Sequence, residues 1–202
     1  MANANSVNIK IAKRSYHHGD LRAELVRIGL EHLARGETDA LSLREIAREA
    51  GVSATAVYRH FPDKKALEVA LCGEGAELLG AVQAKAMAAA GGGRRGFEAV
   101  GQAYVRFALD HPALFRLMTT MRSGGDFFEG QGVQLSSAMR LLRSNIAQLA
   151  GDGVDGDAQK VWAIQAWAMV HGLAMLMLDG QIPADNDLIA ATIRSDALNV
   201  PA

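Results

Sequence analysis

Two serines in the segment Leu41–Leu67 are spaced to cap two short helices whose exposed side chains could recognise DNA bases. Ser42 precedes an apolar helical stripe, and Glu45, three residues later, completes a capping box. Ser53 follows a glycine-containing turn and caps a second short helix, Ala54–Arg59. This pattern predicts a helix-turn-helix, whose second helix enters the major groove of DNA.

The first turn of the predicted recognition helix reads Ala54-Thr55-Ala56. Thr55 is the residue there whose side chain can form a hydrogen bond with a base. The two alanines offer apolar contact, for which the methyl group of thymine is the natural target. Direct readout by this helix is therefore expected to be sparse.

The elements that must position these residues are all predicted to be helices. A first helix opens at Gly19-Asp20 and ends at Arg35-Gly36, and no segment shows the strict alternation of a strand. After the helix-turn-helix, helical patterns cover Asp63–Ala90 (with Leu67, Leu71, Leu78 and Val82 on its apolar side), Phe97–Leu109, Ala113–Met121, Val133–Leu149, Ala158–Leu178 and Ala184–Leu198. Ser123–Gly132 is predicted to be a loop and the segment 151–157, GDGVDGD, a turn-forming linker. The fold class is all-α, with about nine helices.

The charge distribution separates the two ends of the chain. The whole chain of 202 residues has a net charge of −1. Residues 1–65 hold 11 Lys and Arg against 8 Asp and Glu, so this part carries +3 and the remainder −4. A basic head on an acidic body is what contact with phosphate at one end requires.

These motifs resemble the TetR/AcrR family of ligand-responsive repressors. The resemblance covers roughly the first 67 residues and rests on Leu41–Ala47, Gly51-Val52-Ser53, Val57–Phe61, Lys64 and Ala66-Leu67. The lead-in Tyr16–Arg22 and the later Trp167–Gly172 are similar to one branch of that family. The resemblance implies a flexible basic tail (1–16), a DNA-binding head (17–62) and a ligand-binding and dimerisation domain (63–202).

The resemblance also implies roles for residues of the head. Arg44 matches a family position that can reach a base, although it could instead be a solvated charge paired with Asp39 or Glu45. Tyr58, His60 and Lys64 are expected to bind phosphate, and packing is the alternative for the first two. The basic residues Lys10, Lys13 and Arg14 could follow the DNA backbone or belong to a disordered tail. The expected DNA-binding set is Arg44, Ser53, Ala54, Thr55, Ala56, Tyr58, His60 and Lys64.

Large apolar side chains of the C-terminal part could line a cavity for an apolar or aromatic ligand. A polar group, Tyr104 or Gln165, would orient that ligand. The alternative is that the same side chains only fill a core. The candidate set is Phe97, Tyr104, Phe107, Leu114, Phe115, Met118, Trp162 and Gln165.

The segment Val161–Leu178 lacks charged residues and is apolar on every side, which predicts a helix buried all round. Its length just reaches that of a membrane span, but its interior polar residues argue against a membrane. We expect it to pair with a second subunit as part of a four-helix bundle together with Ala184–Leu198, as the family implies. The candidate interface residues are Trp167, Ala168, His171, Gly172 and Met175, and for His171 a hydrogen-bonded place in the core is the alternative.

Signals of an enzyme or a metal site are weak in this sequence. The six histidines match no zinc pattern, and GDGVDGD lacks the closing Glu of a calcium loop. There is no P-loop and no dinucleotide fingerprint, so no catalytic residue, metal or cofactor is predicted. A single cysteine, Cys72, and an N-terminus without a signal-peptide pattern fit the cytoplasm.

The sequence thus predicts a homodimeric regulator of transcription, of repressor type. It would bind an inverted-repeat operator in double-stranded DNA and be released by a small effector. An activator or architectural DNA-binding protein without a ligand is one alternative, and a helical enzyme fused to a DNA-binding head is the other.

Overall fold

A computed structural model describes residues 20–36, 41–121, 137–151 and 154–194, and this part of the chain is helical throughout, as predicted. Its nine helices are α1 (Leu21–Ala34), α2 (Leu43–Glu49), α3 (Ala54–Tyr58), α4 (Lys64–Ala89), α5 (Gly93–Asp110), α6 (Pro112–Thr120), α7 (Ser137–Ala150), α8 (Gly156–Leu178) and α9 (Asn186–Thr192). The predicted tail (1–16) and the predicted loop Ser123–Gly132 lie outside the described residues.

The first three helices begin at side-chain caps. Asp20 Oδ1 accepts a hydrogen bond from the backbone N–H of Ala23 at 3.0 Å and begins α1. Ser42 Oγ accepts from Glu45 N–H at 3.1 Å, and Ser53 Oγ accepts from Ala56 N–H at 3.2 Å. These caps satisfy donors that a helix start leaves unpaired, so the boundaries are set locally by the sequence.

Packing divides the chain into two compact units. The described residues of Met1–Glu74 and Asp110–Met121 form the head unit, and those of Gly75–Leu109 and Arg122–Ala202 form the C-terminal unit. The head unit therefore contains α6, which packs against α1. Its fully buried side chains include Leu25, Ile28, Ile46, Val57, Phe61, Leu67, Leu71 and Phe115.

The helix α4 buries a different stripe in its second half from the one that the sequence predicts. Leu67 and Leu71 are fully buried as expected, but Leu78 and Val82 are only half-buried. Leu79 and Gln83 are the buried residues instead. The buried stripe continues from Leu67 and Leu71 at intervals of four residues, and Gly80, next to Leu79, lies against Ser137.

In the C-terminal unit, α5 contacts α4, α8 and the residue that follows α9. Gly101 marks a close approach, because a Cβ atom there would lie 2.7 Å from Ile193 Cγ2 and 3.2 Å from Val170 Cγ1. A separate apolar cluster joins α5, α7 and α8, with Phe97, Ile146, Ala163 and Ala166 buried and Leu142, Leu149, Trp162 and Met169 packed on it.

The predicted end of the last helix is wrong, and one face of α8 is left for the expected partner to cover. The helix α9 ends at Thr192 rather than Leu198, because Ile193 adopts extended backbone and buries its side chain near Gly101. The helix α8 is not buried on every side of the single chain: Val161 is 51% exposed, Ile164 42% and Leu176 41%. These three residues recur at the spacing of one helical face, so one side of α8 is open to solvent.

Candidate nucleic-acid interface

The recognition helix α3 is anchored by one buried residue and presents the others outward. Val57 is fully buried and holds α3 against the head. Thr55 is exposed, while Ala54 and Ala56 are half-buried. The hydroxyl of Thr55 is thus free to meet a base edge, and the two alanines lie beside it.

Arg44 is exposed on the first turn of α2. Glu45, one of its two possible partners in the sequence, gives its carboxylate to Arg48 instead, with a hydrogen bond of 3.1 Å from Nε to Oε1. This bond lowers the pKa of Glu45 and keeps the carboxylate charged. The other possible partner, Asp39, lies outside the described residues. Glu45 therefore pairs with Arg48 in this structure.

The three residues expected to bind phosphate are exposed to solvent. Tyr58 is 46% exposed, which is unusual for a large aromatic side chain, and His60 is exposed as well. Lys64, on the first turn of α4, lies 3.7 Å from Glu68. This distance is long for an ion pair, and the lysine is exposed, so phosphate can compete for it.

Phe61 is buried between these exposed groups and carries a cation on its ring. The guanidinium carbon of Arg22, near the start of α1, lies 5.2 Å from the ring centroid. Arg22 therefore stands beside α3 and the start of α4, together with exposed Arg59. The sequence gives Arg22 only as part of the lead-in to α1, because a pairing across 39 residues has no local signal.

A hydrogen bond between a buried histidine and an exposed carboxylate fixes α2, which leads into the turn, against α1. His32 is 3% exposed, and its Nε2 lies 2.6 Å from Glu49 Oε2. Arg35 Nη2 lies 3.7 Å from the same oxygen. A charge-assisted contact with one buried partner holds its geometry better than an exposed pair. These contacts thus hold the helix-turn-helix in place against α1.

The C-terminal unit holds a hydrogen-bonded trio of aromatic side chains. The indole N–H of Trp167 donates to Tyr104 Oη at 3.3 Å, and the same oxygen lies 3.1 Å from His171 Nδ1. The three side chains join α5 to α8 within one chain. Trp167 and His171, which the sequence suggests for a dimer interface, thus direct their polar atoms toward α5.

The residues expected to line one ligand cavity are divided between the two units. Phe97, Tyr104 and Phe107 are buried in the C-terminal unit. Leu114, Phe115 and Met118 are buried on α6 in the head unit. Trp162 packs on the cluster between α5, α7 and α8, and Gln165 is exposed on α8.

A pocket of about 200 Å³ lies between α7 and α8. Of the expected ligand residues it contains none, and its lining is largely polar: Arg143, Ile146, Gly156, Asp157, Gln159, Lys160 and Ala163.

The open side of α8 includes two of the residues expected at a dimer interface. Ala168 is exposed and Gly172 is half-buried, on the face that carries Val161, Ile164 and Leu176. Met175 is half-buried. Among the described helices, α8 is the one with the length and mean hydropathy (1.6) that a membrane span requires, and a third of the apolar window is buried.

Comparison with known proteins gives matches over both parts of the chain. Residues 28–71 match the family of bacterial regulatory proteins of the tetR type, and residues 97–195 match a tetracyclin repressor-like C-terminal domain. An uncharacterized HTH-type transcriptional regulator of Mycobacterium tuberculosis is 26% identical over 166 residues, which are 79% of this chain and 71% of that protein.

Solved structures give the same result for the fold. A protein of unknown function from Rhodococcus sp. is 36% identical, with a TM-score of 0.67 over 89% of this chain and 94% of that one. A TetR family transcription regulator from Marinobacter aquaeolei is 18% identical, with a TM-score of 0.62 over 88% of this chain and 94% of that one, which shows a shared fold. With matches at both ends and a capped helix-turn-helix in the head, the chain belongs to the TetR family of transcriptional regulators.

Proposed function

We propose that this regulator is a homodimeric repressor that binds an inverted-repeat operator and leaves it when a small effector binds. The exposed set on the head carries the proposal: Arg44, Thr55, Tyr58, His60 and Lys64 are all exposed around a recognition helix that Val57 anchors. Such a set combines one or two base-reading groups with several phosphate contacts, which is how sequence-specific DNA-binding heads divide the work.

Dimerisation follows from the small number of base contacts that one head can make. A single recognition helix reads a few base pairs, and a two-fold pair of heads doubles the site. The open apolar face of α8, with Val161, Ile164 and Leu176 exposed, supports a symmetric partner. Soluble proteins rarely leave several large apolar side chains exposed in one stripe. A second copy of α8 would cover this face, with Ala168 and Gly172 allowing close approach of the two helices.

The response to an effector is proposed to act through α4. This helix begins beside α3, where Asp63 Oδ1 accepts from Ala66 N–H at 2.8 Å, and continues without a break to Ala89. Its second half carries contacts to α5 and α7 in the C-terminal unit. An effector that favours one placement of this half would change the spacing of two heads in a dimer.

Binding to DNA is tested on the region upstream of the protein's own gene by footprinting and fluorescence anisotropy. We expect a protected inverted repeat and an affinity that falls steeply between about 50 and 200 mM salt, because each phosphate contact releases counterions. A duplex of the same composition in scrambled order is the control. An affinity that does not change with salt would contradict the proposed interface.

The response to an effector is tested by adding compounds to the complex and measuring release of the operator. A protein that binds a compound tightly and keeps the same operator affinity would instead be an activator or architectural protein, or one whose ligand serves another purpose.

A further inference from the structure

Gln83 is a buried amide with one hydrogen bond made and one missing. The side chain is 5% exposed, on the half of α4 that belongs to the C-terminal unit. Its Nε2 donates to the backbone carbonyl of Val100 on α5 at 3.3 Å, which fixes the orientation of the amide. Its Oε1 has no hydrogen-bond donor within reach in the described part of the chain. A buried acceptor without a donor costs stability, so a group that donated to this oxygen would be bound favourably.

Two residues close to Gln83 in the fold are buried and apolar. Leu79, one turn earlier on α4, and Val100 are buried hydrophobic residues. The other buried polar side chain described in the C-terminal unit is Asn145, whose amide donates to Leu141 of its own helix at 2.7 Å. A charged ligand buried here would lose its hydration without meeting a buried counter-charge.

The two polar groups that the sequence suggests for ligand orientation are committed elsewhere. The indole N–H of Trp167 donates to Tyr104 Oη, and the same oxygen is within hydrogen-bond distance of Nδ1 of His171. Gln165 is exposed on α8. Gln83 is thus the buried amide of this unit with hydrogen-bonding capacity to spare.

We propose that Gln83 is the polar anchor of the effector site, and that the effector is a neutral, mainly apolar molecule with a hydroxyl or N–H group. That group donates to Gln83 Oε1 while the rest of the molecule is enclosed by apolar side chains. Phenols, alcohols and amides belong to this class, and carboxylates and ammonium compounds do not. The inference rests on the ligand response proposed above.

The test uses the full-length protein and three matched probe series. These are 4-alkylphenols from ethyl to octyl, their methyl ethers, and the corresponding 4-alkylbenzoates. Dissociation constants are measured by calorimetry for wild type, Gln83→Leu, Gln83→Met and the control Asn145→Leu, which removes a buried amide already satisfied within its helix. We expect wild type to bind the best phenol about tenfold more tightly than its ether, the effect of one neutral hydrogen bond.

Both Gln83 variants should lose this preference, and Asn145→Leu should keep it. Without probes, Gln83→Leu should melt no lower than wild type, because it removes a buried acceptor that has no donor. The carbonyl of Val100 keeps its place in the hydrogen-bonding pattern of α5. Equal binding of phenol and ether to wild type, or a preference that persists in both variants, would overturn the role of Gln83.

Tightest binding of the benzoates, or no binding of any series, would overturn the assigned ligand class. Operator affinity is measured in parallel, so the two proposals can fail separately. Equal binding of phenol and ether to wild type, or a preference that persists in both variants, contradicts only the role of Gln83 when operator binding is intact. Phenol binding that leaves operator affinity unchanged contradicts the ligand response and leaves the anchor standing.

Discussion

At the scale of single residues, we propose that the head separates base reading from phosphate binding. Thr55 and Arg44 are exposed and can make directional bonds to bases, whereas exposed Tyr58, His60 and Lys64 carry groups suited to phosphate. This division predicts two different kinds of loss on mutation.

Arg44→Ala should relax base preference, with a loss of about 1–3 kcal/mol on the best operator and little on a scrambled duplex. Lys64→Ala should weaken binding to both duplexes alike and lower the slope of log affinity against log salt by about one per subunit. Anisotropy titrations on both duplexes at several salt concentrations distinguish the two. The opposite result would mean that the roles of Arg44 and Lys64 are reversed.

A second prediction concerns His111, at the start of α6. Burial lowers the pKa of His111 below its ordinary value of 6.5, and the neighbouring Asp110 offsets this in part. Just below pH 6.5, His111 is therefore protonated in the unfolded chain while it is still neutral in the folded chain. The unfolded state binds more protons, so stability falls as the pH drops below 6.5 and levels off once the folded histidine is also protonated.

Between pH 7.5 and 5.5, the melting temperature should fall less for the variant His111→Gln than for wild type. Thermal unfolding at several pH values measures this difference. Parallel curves for the two proteins would show that another group causes any acid sensitivity.

The sequence predicts such single residues well where their structure is local. The caps at Asp20, Ser42 and Ser53 could be read directly, because a capping side chain and the backbone N–H that donates to it lie three residues apart. The stacking of Arg22 on Phe61 and the burial of Gln83 could not, since each depends on which helices pack together.

At the scale of elements, α4 and α7 are joined by one closely fitted contact. Glu77 on α4 accepts hydrogen bonds from the start of α7, from Ser137 Oγ at 2.8 Å and from Ser137 N–H at 3.4 Å. These bonds lower the pKa of Glu77. One turn further along α4, Gly80 leaves no space, since a Cβ atom there would lie 2.3 Å from Ser137 Oγ and 3.0 Å from the backbone nitrogen of Ala138.

Gly80→Ala should therefore destabilise the protein by about 1–3 kcal/mol, as overpacking does in close-fitted interiors. Gly73→Ala, on the same helix with nothing within 4 Å of the added Cβ, is the matched control. It should stabilise by about 0.5–1 kcal/mol, because alanine favours a helix over glycine. Denaturant unfolding of both variants gives the comparison, and a neutral Gly80→Ala would show that α7 can move away from α4.

The sequence correctly predicts the order and approximate length of the helices but not which of their faces meet. Leu78 and Val82 were natural candidates for the buried stripe of α4 because they are large and apolar. In the structure, α4 approaches α7 closely at Gly80, and the buried residues are Leu79 and Gln83 instead. A small residue in the sequence identifies a close helix contact only when the partner helix is already known.

At the scale of the whole molecule, the open face of α8 predicts a dimer. Ile164→Glu places a charge on this face and should convert the protein to a monomer, with operator affinity falling by the contribution of the second head. Val69→Glu is a control at an apolar residue that is still more exposed, on α4 in the head unit. Light scattering coupled to size-exclusion chromatography measures the mass of both variants.

A dimeric Ile164→Glu variant would place the interface elsewhere. The measured mass distinguishes a variant that aggregates from a monomer. If Ile164→Glu aggregates, Ala168→Leu serves as a second substitution. It adds bulk without charge at the point where the two copies of α8 are proposed to approach most closely.

The place of α6 in the head unit means that this DNA-binding head is not one continuous piece of chain. Phe115 and its neighbours on α6 pack with α1, although nearly the whole length of α4 and α5 separates them from the helix-turn-helix in sequence. A fragment ending after the first turns of α4 would lack part of its own core and expose apolar surface of α1. A chimaera that exchanges heads between relatives must therefore carry α6 along with α1–α3, or its new head will meet a foreign supporting helix.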